Sequence, residues 1–233
     1  MALRCDLHLH SCLSPCGDGQ MTPANIAGFA KLAGLDLIAL TDHNSAENLP
    51  AIQRACDAYG LRLLPGLELN TAEEIHLLCY LPTVEAALTL SREVYPLLPN
   101  VRCDEAVFGS QQILDEEDHE LGRLDKLLVS GCALSLSEAA DRCRALGGVP
   151  VPAHIDRESY SVLSVLGLMP DTPAFEAVEL RDLARFDPLV AAGRIAPGYQ
   201  LLTGSDAHYL EDIAARVQLL DETSVLWPLI AGR

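Results

Sequence analysis

The sequence predicts an α/β domain built on a parallel sheet or barrel, and three observations predict it. Short apolar runs of strand length alternate with capped segments of helical length along most of the chain. The length of 233 residues suits one β/α barrel folding as a single domain. Histidines and carboxylates recur at the ends of the apolar runs, where β/α barrels gather their chemistry.

Each element has its own signal. Leu3, Cys5, Leu7 and Leu9 alternate with Arg4, Asp6, His8 and His10, a strand period. Thr22 caps a helix that Pro23 opens and Gly34 ends. The nearly unbroken apolar run Leu35 to Leu40 reads as a strand buried on both faces. A second helix runs from about Glu47 to Tyr59 and stops at Gly60. Leu61 to Leu69 and Ile75 to Leu81 are further strands, followed by a helix over Val84 to Leu98. Pro99 to Ser130 is polar and acidic and breaks the alternation, with Gln111 to Leu114 and Glu120 to Leu124 pairing as a hairpin. Ser135-x-x-Glu138 is a capping box, and Gly147 closes that helix. Gly148 to Ile155, Ala174 to Leu180 and Tyr199 to Thr203 complete the strands.

Composition narrows the function classes. Hydrophobic residues are 49% and charged residues 21%, which excludes a disordered or collagen-like chain. No uncharged apolar run approaches the ~18 residues that span a bilayer, and the start has no secretory apolar region, so a cytoplasmic protein is expected. Sixteen Lys+Arg against 33 Asp+Glu give a net charge of −17. That balance argues against a long nucleic-acid track and against an anionic membrane surface, and leaves room for a small phosphorylated ligand beside bound cations. The eight cysteines are expected to be reduced, several of them as small core residues. Cys12-x-x-x-Cys16 is the one tight pair and by itself a weak zinc signal.

Six of the seven histidines fall at strand ends or starts. His8 and His10, two apart on a strand, point to one face, as two imidazoles on a transition metal must. His43 ends the second strand, Glu68 lies near the end of the third, and His76 begins the fourth. His154 ends Val149-Pro-Val-Pro-Ala-His154, and Asp206 and His208 follow Leu201-Leu-Thr-Gly-Ser205. A cluster of unpartnered histidines and acids would be costly to bury without metal. His119 sits in the acidic hairpin and is expected to face solvent.

The ordered set Asp6-Leu-His8-Leu-His10, Asp18-Gly19, Thr41-Asp42-His43, Glu68, His76, Pro152-Ala-His154 and Ser205-Asp206-Ala-His208 resembles the PHP family, named for polymerase and histidinol phosphatase. The resemblance implies a distorted (β/α)7-type, TIM-like barrel over residues 1–233, with the acidic stretch at about 99–130 as an insertion. It implies up to three divalent ions, manganese, zinc or iron. Carried over by position, one ion takes His8, His10, Glu68 and Asp206. A second shares Glu68 and adds His76 and His154, and a third takes Asp18, His43 and His208. Glu68, Asp206 and His208 are the candidate catalytic residues.

The expected activity is a phosphoesterase in which a metal-activated hydroxide attacks phosphorus. The expected partner is a small phosphomonoester or nucleotide, with long nucleic acid disfavoured and the oligomeric state open. An exonuclease on short single strands and a non-catalytic, metal-stabilised scaffold are the alternatives. Asp6 and Asp42 neighbour ligands and are candidates to orient imidazoles, with plain strand-end solvation as the competing reading. Arg157 and Arg181 are candidate phosphate clamps, with plain solvated arginines as the competing reading.

Overall fold

In the computed structural model, which describes residues 2–231, the N-terminal third forms two successive β-α-β units. They comprise β1 (Leu3–Leu9), α1 (Pro23–Leu32), β2 (Leu37–Leu40), α2 (Leu49–Tyr59) and β3 (Arg62–Asn70). β1 pairs parallel with β2, Cys5 opposite Leu37, and β2 pairs parallel with β3, Leu37 opposite Arg62. The Thr22 side chain accepts the Asn25 amide to start α1. Gly60, at φ 65°, ends α2 in the left-handed conformation that glycine adopts at least cost.

The pattern then changes. β4 (His76–Tyr80) follows β3 through a tight turn and lies antiparallel to it, Glu68 opposite Leu78. After α3 (Val84–Val94) comes a small hairpin of β5 (Gln112–Leu114) and β6 (Glu120–Arg123). α4 (Leu136–Ala145) carries the expected capping box, with Ser135 and Glu138 each satisfying the other's backbone. β7 (Val149–Pro152) is antiparallel to β4. α5 (Val162–Leu166), β8 (Ala177–Glu179), α6 (Phe186–Ala191), β9 (Gln200–Leu202) and β10 (Gln218–Leu220) follow.

The main sheet has six strands in the order β10-β1-β2-β3-β4-β7, and β8 and β9 form a separate parallel pair. The expected parallel sheet is therefore mixed, and the (β/α)7 barrel is here a curled half-barrel. A parallel β3–β4 pair would need a crossover of a dozen or more residues, which the short connection between them does not supply. β10 has no counterpart in the sequence reading; it adds antiparallel to the free edge of β1, Leu3 opposite Leu220.

The curl divides the core. Cys5, Leu7, Leu37, Ala39, Leu64, Leu78 and Tyr80 pack together on one side. Leu9, Ile38, Leu40, Leu67 and Leu69 pack on the other, with residues of α1 to α4. β2 is buried on both faces, as its unbroken apolar run requires. The β1–β2 register slips between Asp6 and Leu9, a local irregularity of the kind that re-aims side chains next to functional sites. None of the eight cysteines is in a disulfide. No helix among the described residues is long and apolar enough to cross a membrane.

Candidate metal centre

Glu68, on β3, is fully buried, and five imidazoles from four segments close around its carboxylate. Its Oε1 lies 2.9 Å from His76 Nδ1, 3.2 Å from His154 Nε2 and 3.4 Å from His8 Nε2. Its Oε2 lies 3.0 Å from His43 Nδ1 and 3.5 Å from His10 Nε2. Asp206 Oδ1 adds a second carboxylate oxygen, 3.6 Å from His8 Nε2 and 3.5 Å from His10 Nε2. His208 stacks on His10 with ring centroids 4.3 Å apart.

Two of these residues sit on unusual backbone. His154 has φ 27° and Asp206 has φ 56°, left-handed values that non-glycine residues occupy at a cost. His154 lies two residues past β7 and Asp206 four residues past β9, and both side chains reach the cluster.

The spacing fits cations. Nitrogen and oxygen ligands bound about 2.1 Å from one ion lie about 3.0–3.4 Å from each other. Much of the cluster has that separation, yet the groups are poorly aligned as hydrogen bonds. Buried His43 Nδ1, His76 Nδ1, His154 Nδ1 and Glu68 Oε2 have no hydrogen-bond partner. Unsatisfied buried polar atoms are expensive in an apolar interior, and an ion would satisfy them. Donor atoms of His8, His10 and Glu68, of His43, Glu68 and His76, and of His10, His43 and His208 come within 4.8 Å of one another in each group.

The electrostatics run the same way. Burial alone would raise the Glu68 carboxyl, but His76, His8 and His43 outweigh it and hold the group well below the usual carboxylate range. Burial opposes charge on His8, and Glu179, Glu68 and Asp206 override it, so His8 is pushed well up. His10 is driven well down by burial and by His208 and His43. Burial lowers His76 to about 4 despite Glu68 beside it, leaving a neutral imidazole of the kind metals bind.

A second set of contacts orients the imidazoles. Glu179, buried on β8, accepts from His8 Nδ1 at 3.0 Å and from the His154 backbone N–H at 2.9 Å. His10 Nδ1 meets Ser14 Oγ at 3.0 Å, and Ser14 donates to Asp42 Oδ1 at 2.6 Å. Asp42 also accepts from the Ser11 backbone and hydroxyl. Asp42 thus acts on His10 through a serine. Asp6 accepts the backbone N–H groups of Ser205 and Ala214 instead, and so positions the segment that carries Asp206.

Of the residues singled out in the sequence, the fold brings together His8, His10, His43, Glu68, His76, His154, Asp206 and His208. Asp18 lies beside His208, whose backbone carbonyl accepts the Asp18 N–H at 2.9 Å, while its Oδ1 accepts the Gln20 amide at 2.8 Å. Arg157 donates to Asp206 Oδ2 at 3.1 Å and lines the mouth. Arg181 is exposed, is held through its backbone by Asp156, and does not line the mouth. His119 is exposed and bonds Asp115 at 3.1 Å. Glu179 went unread in the sequence, and Cys16 was read there only as half of the Cys12–Cys16 pair. Glu179 could have been found as the lone acid in the apolar strand Ala177-Val-Glu-Leu180. Cys16 lines the mouth with its Sγ 3.0 Å from His208 Nε2; burial would raise its thiol, but His43 and His208 lower it to about 6. The mouth is a cavity of about 280 Å³, lined also by Val129 and Tyr160. Tyr160 stacks on His76.

Comparisons with known proteins bear on what such a centre serves. The chain is 31% identical over 71 residues to a 5′-3′ exoribonuclease of Haemophilus influenzae, and 34% identical over 73 residues to the 5′-3′ exoribonuclease Rnm of Salmonella typhimurium. Each match covers 30% of this chain, and 25% and 24% of the relatives. This chain therefore aligns with about a quarter of the length of those curated proteins. The lesion-specific endonuclease PfuEndoQ of Pyrococcus furiosus superposes with a TM-score of 0.66 at 18% identity, over 97% of this chain and 54% of that one. Endonuclease Q in complex with a 27-mer duplex carrying an abasic lesion superposes with 0.60 at 21%, over 90% and 50%. A metal-dependent phosphoesterase of Bifidobacterium adolescentis, its function putative in its own description, superposes with 0.58 at 18%, over 88% and 87%.

These likenesses overturn the expectation of a small phosphorylated partner with long nucleic acid disfavoured, because proteins named for nucleic-acid cleavage recur among them. The expectation failed because net charge sums over the whole surface, whereas a polyanion feels the local field at the mouth. Arg157 lies at that mouth, and Arg157, Arg185 and Arg194 line a cleft beside it. The expectation of a hydrolase of phosphoric ester bonds agrees with the names of these proteins and with the donor set. Residues 6–146, more than half the sequence and including His8, His10, His43, Glu68 and His76, match the PHP domain, so the chain belongs to the PHP domain family.

Proposed function

We propose that this chain is a metal-dependent phosphodiesterase that cleaves nucleic acid, taking the strand singly into its mouth. One observation carries the metal-dependent chemistry: a buried carboxylate ringed by five imidazoles, with Glu68 Oε2 and the His43 and His76 Nδ1 atoms that face the carboxylate left without hydrogen-bond partners. Divalent cations, when bound, supply Lewis acidity toward a phosphoryl group and make water more acidic. His8, His10, Glu68 and Asp206 would hold one, and His76, His154 and Glu68 another, so Glu68 serves both. His10, His43 and His208 offer donors for a further one.

The remaining residues prepare the site. Glu179 and the Ser14–Asp42 pair keep His8 and His10 in one tautomer and one orientation. Arg157 spends one N–H on Asp206 and presents the rest of its guanidinium to the mouth, where a phosphoryl oxygen would take it. Asp206 and His208 line the same mouth and meet the substrate phosphate on its accessible side. A cavity of about 280 Å³ is large enough to receive a nucleotide's phosphate and sugar beside the donor cluster. The names of the exoribonuclease relatives and of endonuclease Q support a nucleic-acid substrate.

The test uses single-stranded RNA and DNA oligonucleotides labelled at either end, together with a circular single strand, under manganese, zinc or iron. Phosphodiester cleavage with at least one metal is expected. Mononucleotide release from one end identifies an exonuclease, and nicking of the circle an endonuclease. No cleavage of any of these nucleic acids under any of the metals would overturn the proposal.

A further inference from the structure

Apart from Val129 and the ring of Tyr160, the mouth is lined by thiol, imidazole, carboxylate and guanidinium groups. Chemistry at a phosphate has uses for those polar groups and leaves the aromatic ring without a task. Tyr160 lies nearly flat on His76, with ring centroids 4.9 Å apart and planes 24° from parallel. Its carbonyl also accepts the His76 N–H at 2.9 Å, so the first residue of β4 rests on Tyr160 by both ring and backbone. His76 is only 7% exposed, whereas Tyr160 is 43% exposed and reaches the mouth. A side chain that served only to cover His76 would gain by burying its own ring as well. The Tyr160 backbone has φ 55°, a left-handed value that a bulky residue adopts at a cost. A constrained backbone and a buried neighbour therefore hold the ring at the mouth, and little side-chain freedom remains for a ligand to freeze out.

Arg157 stands three residues earlier in the same loop and lines the same mouth, bonded to Asp206. The loop between them is braced: Arg157 N donates to His154 O at 2.8 Å, and Ser161 Oγ donates to Arg157 O at 2.8 Å. One short loop thus presents a guanidinium and an aromatic ring to one cavity. A nucleotide carries the two matching chemistries, an anionic phosphate and a flat base. A phosphomonoester without a base would use the guanidinium and leave the ring idle.

We infer that Tyr160 is the platform on which the base of the nucleotide in the mouth stacks, with His76 backing the ring from behind. The inference rests on the nucleic-acid reading and deepens it. Because every base has a π-face, such a platform reads that a base is present and not which base it is.

The test is a thermodynamic cycle on the metal-loaded full chain. Binding of a short non-hydrolysable single strand is read by anisotropy, with each base replaced in turn by an abasic site. In the wild type one position is expected to matter, its abasic strand binding about 5-fold or more weakly, the lower end of what a base stacked on an aromatic side chain is worth. Tyr160→Leu keeps an apolar side chain over His76 and removes the π-face. It should bind the intact strand about as weakly as the wild type binds that abasic strand, and lose nothing further on the abasic strand itself. Tyr160→Phe should behave as the wild type, because stacking uses the ring and not the hydroxyl. Equal weakening of intact and abasic strands in Tyr160→Leu, a Tyr160→Phe chain as weak as Tyr160→Leu, or a wild type indifferent to every abasic position would each overturn the role of Tyr160 and leave the nucleic-acid reading standing. A wild type that binds no strand would overturn both.

Discussion

Glu68 gathers more of the centre than any other side chain, and its negative charge is stabilised by the surrounding imidazoles. Glu68→Gln keeps the shape and removes that charge. It should retain a folded circular dichroism spectrum, lose metal by elemental analysis, and lose at least about 100-fold in nuclease turnover. His119→Ala, on an exposed side chain bonded to Asp115, should leave metal content and turnover as they are. The reverse pattern would remove Glu68 from its central role. Glu179→Gln probes the next layer. It leaves the ligands in place and weakens only the group that holds His8 Nδ1, so metal affinity should fall about 10–100-fold by competition with a chromogenic chelator. An unchanged affinity would mean that packing alone orients His8.

Elements position these residues by close backbone approach and by caps. Gly204 follows β9 and lies against β1: a Cβ there would sit 2.5 Å from His8 Cβ and 2.8 Å from His8 N. Backbone cannot yield as a flexible side chain can. Gly204→Ala should therefore destabilise the fold by about 1–3 kcal/mol in urea unfolding and displace His8, with metal binding weakened. α4 is a contrast, since its capping box lies away from the mouth. Ser135→Ala removes the side chain that accepts the Glu138 amide and should cost about 1 kcal/mol, with turnover unchanged below the melting transition. A stability loss at Gly204 with an intact metal centre would show that the β1–β9 approach serves the core alone.

At the scale of the molecule, an acidic body carries a centre that gathers cations. Ions that bind the folded chain and not the unfolded one stabilise it, by about 2.7 kcal/mol at a hundredfold excess over Kd. For a chain of this length that corresponds to a rise of about 5–10 °C in the melting temperature on adding zinc to stripped protein, followed by scanning calorimetry. No shift would mean that no folded-state site exists. Nucleic-acid binding should depend only modestly on salt, because few arginines lie at the mouth and in its adjoining cleft. Two or three neutralised phosphates on a single strand give a slope of about −2 in log K against log salt, measurable by anisotropy with a non-hydrolysable oligonucleotide. A slope several times steeper would reveal a basic track elsewhere on the surface.

What the sequence determined by itself was local and periodic. Strand alternation, the unbroken run before His43, the caps at Thr22 and Ser135 and the stop at Gly60 are short-range preferences, and the corresponding elements form within a few residues of where those signals lie. The ends of the apolar runs marked His8, His10, His43, Glu68, His154, Asp206 and His208, because a sheet must finish its strands where polar groups can sit. Only the tertiary structure decided what depends on distant partners. The antiparallel return of β4, the added β10 and the open half-barrel follow from connection lengths and from which edge finds a partner, and residue periodicity encodes neither. Glu179 reaches His8 across 171 positions of sequence, and Cys16 reaches His208 across 192. Which histidine each of them meets is decided only when the sheet curls and brings them together.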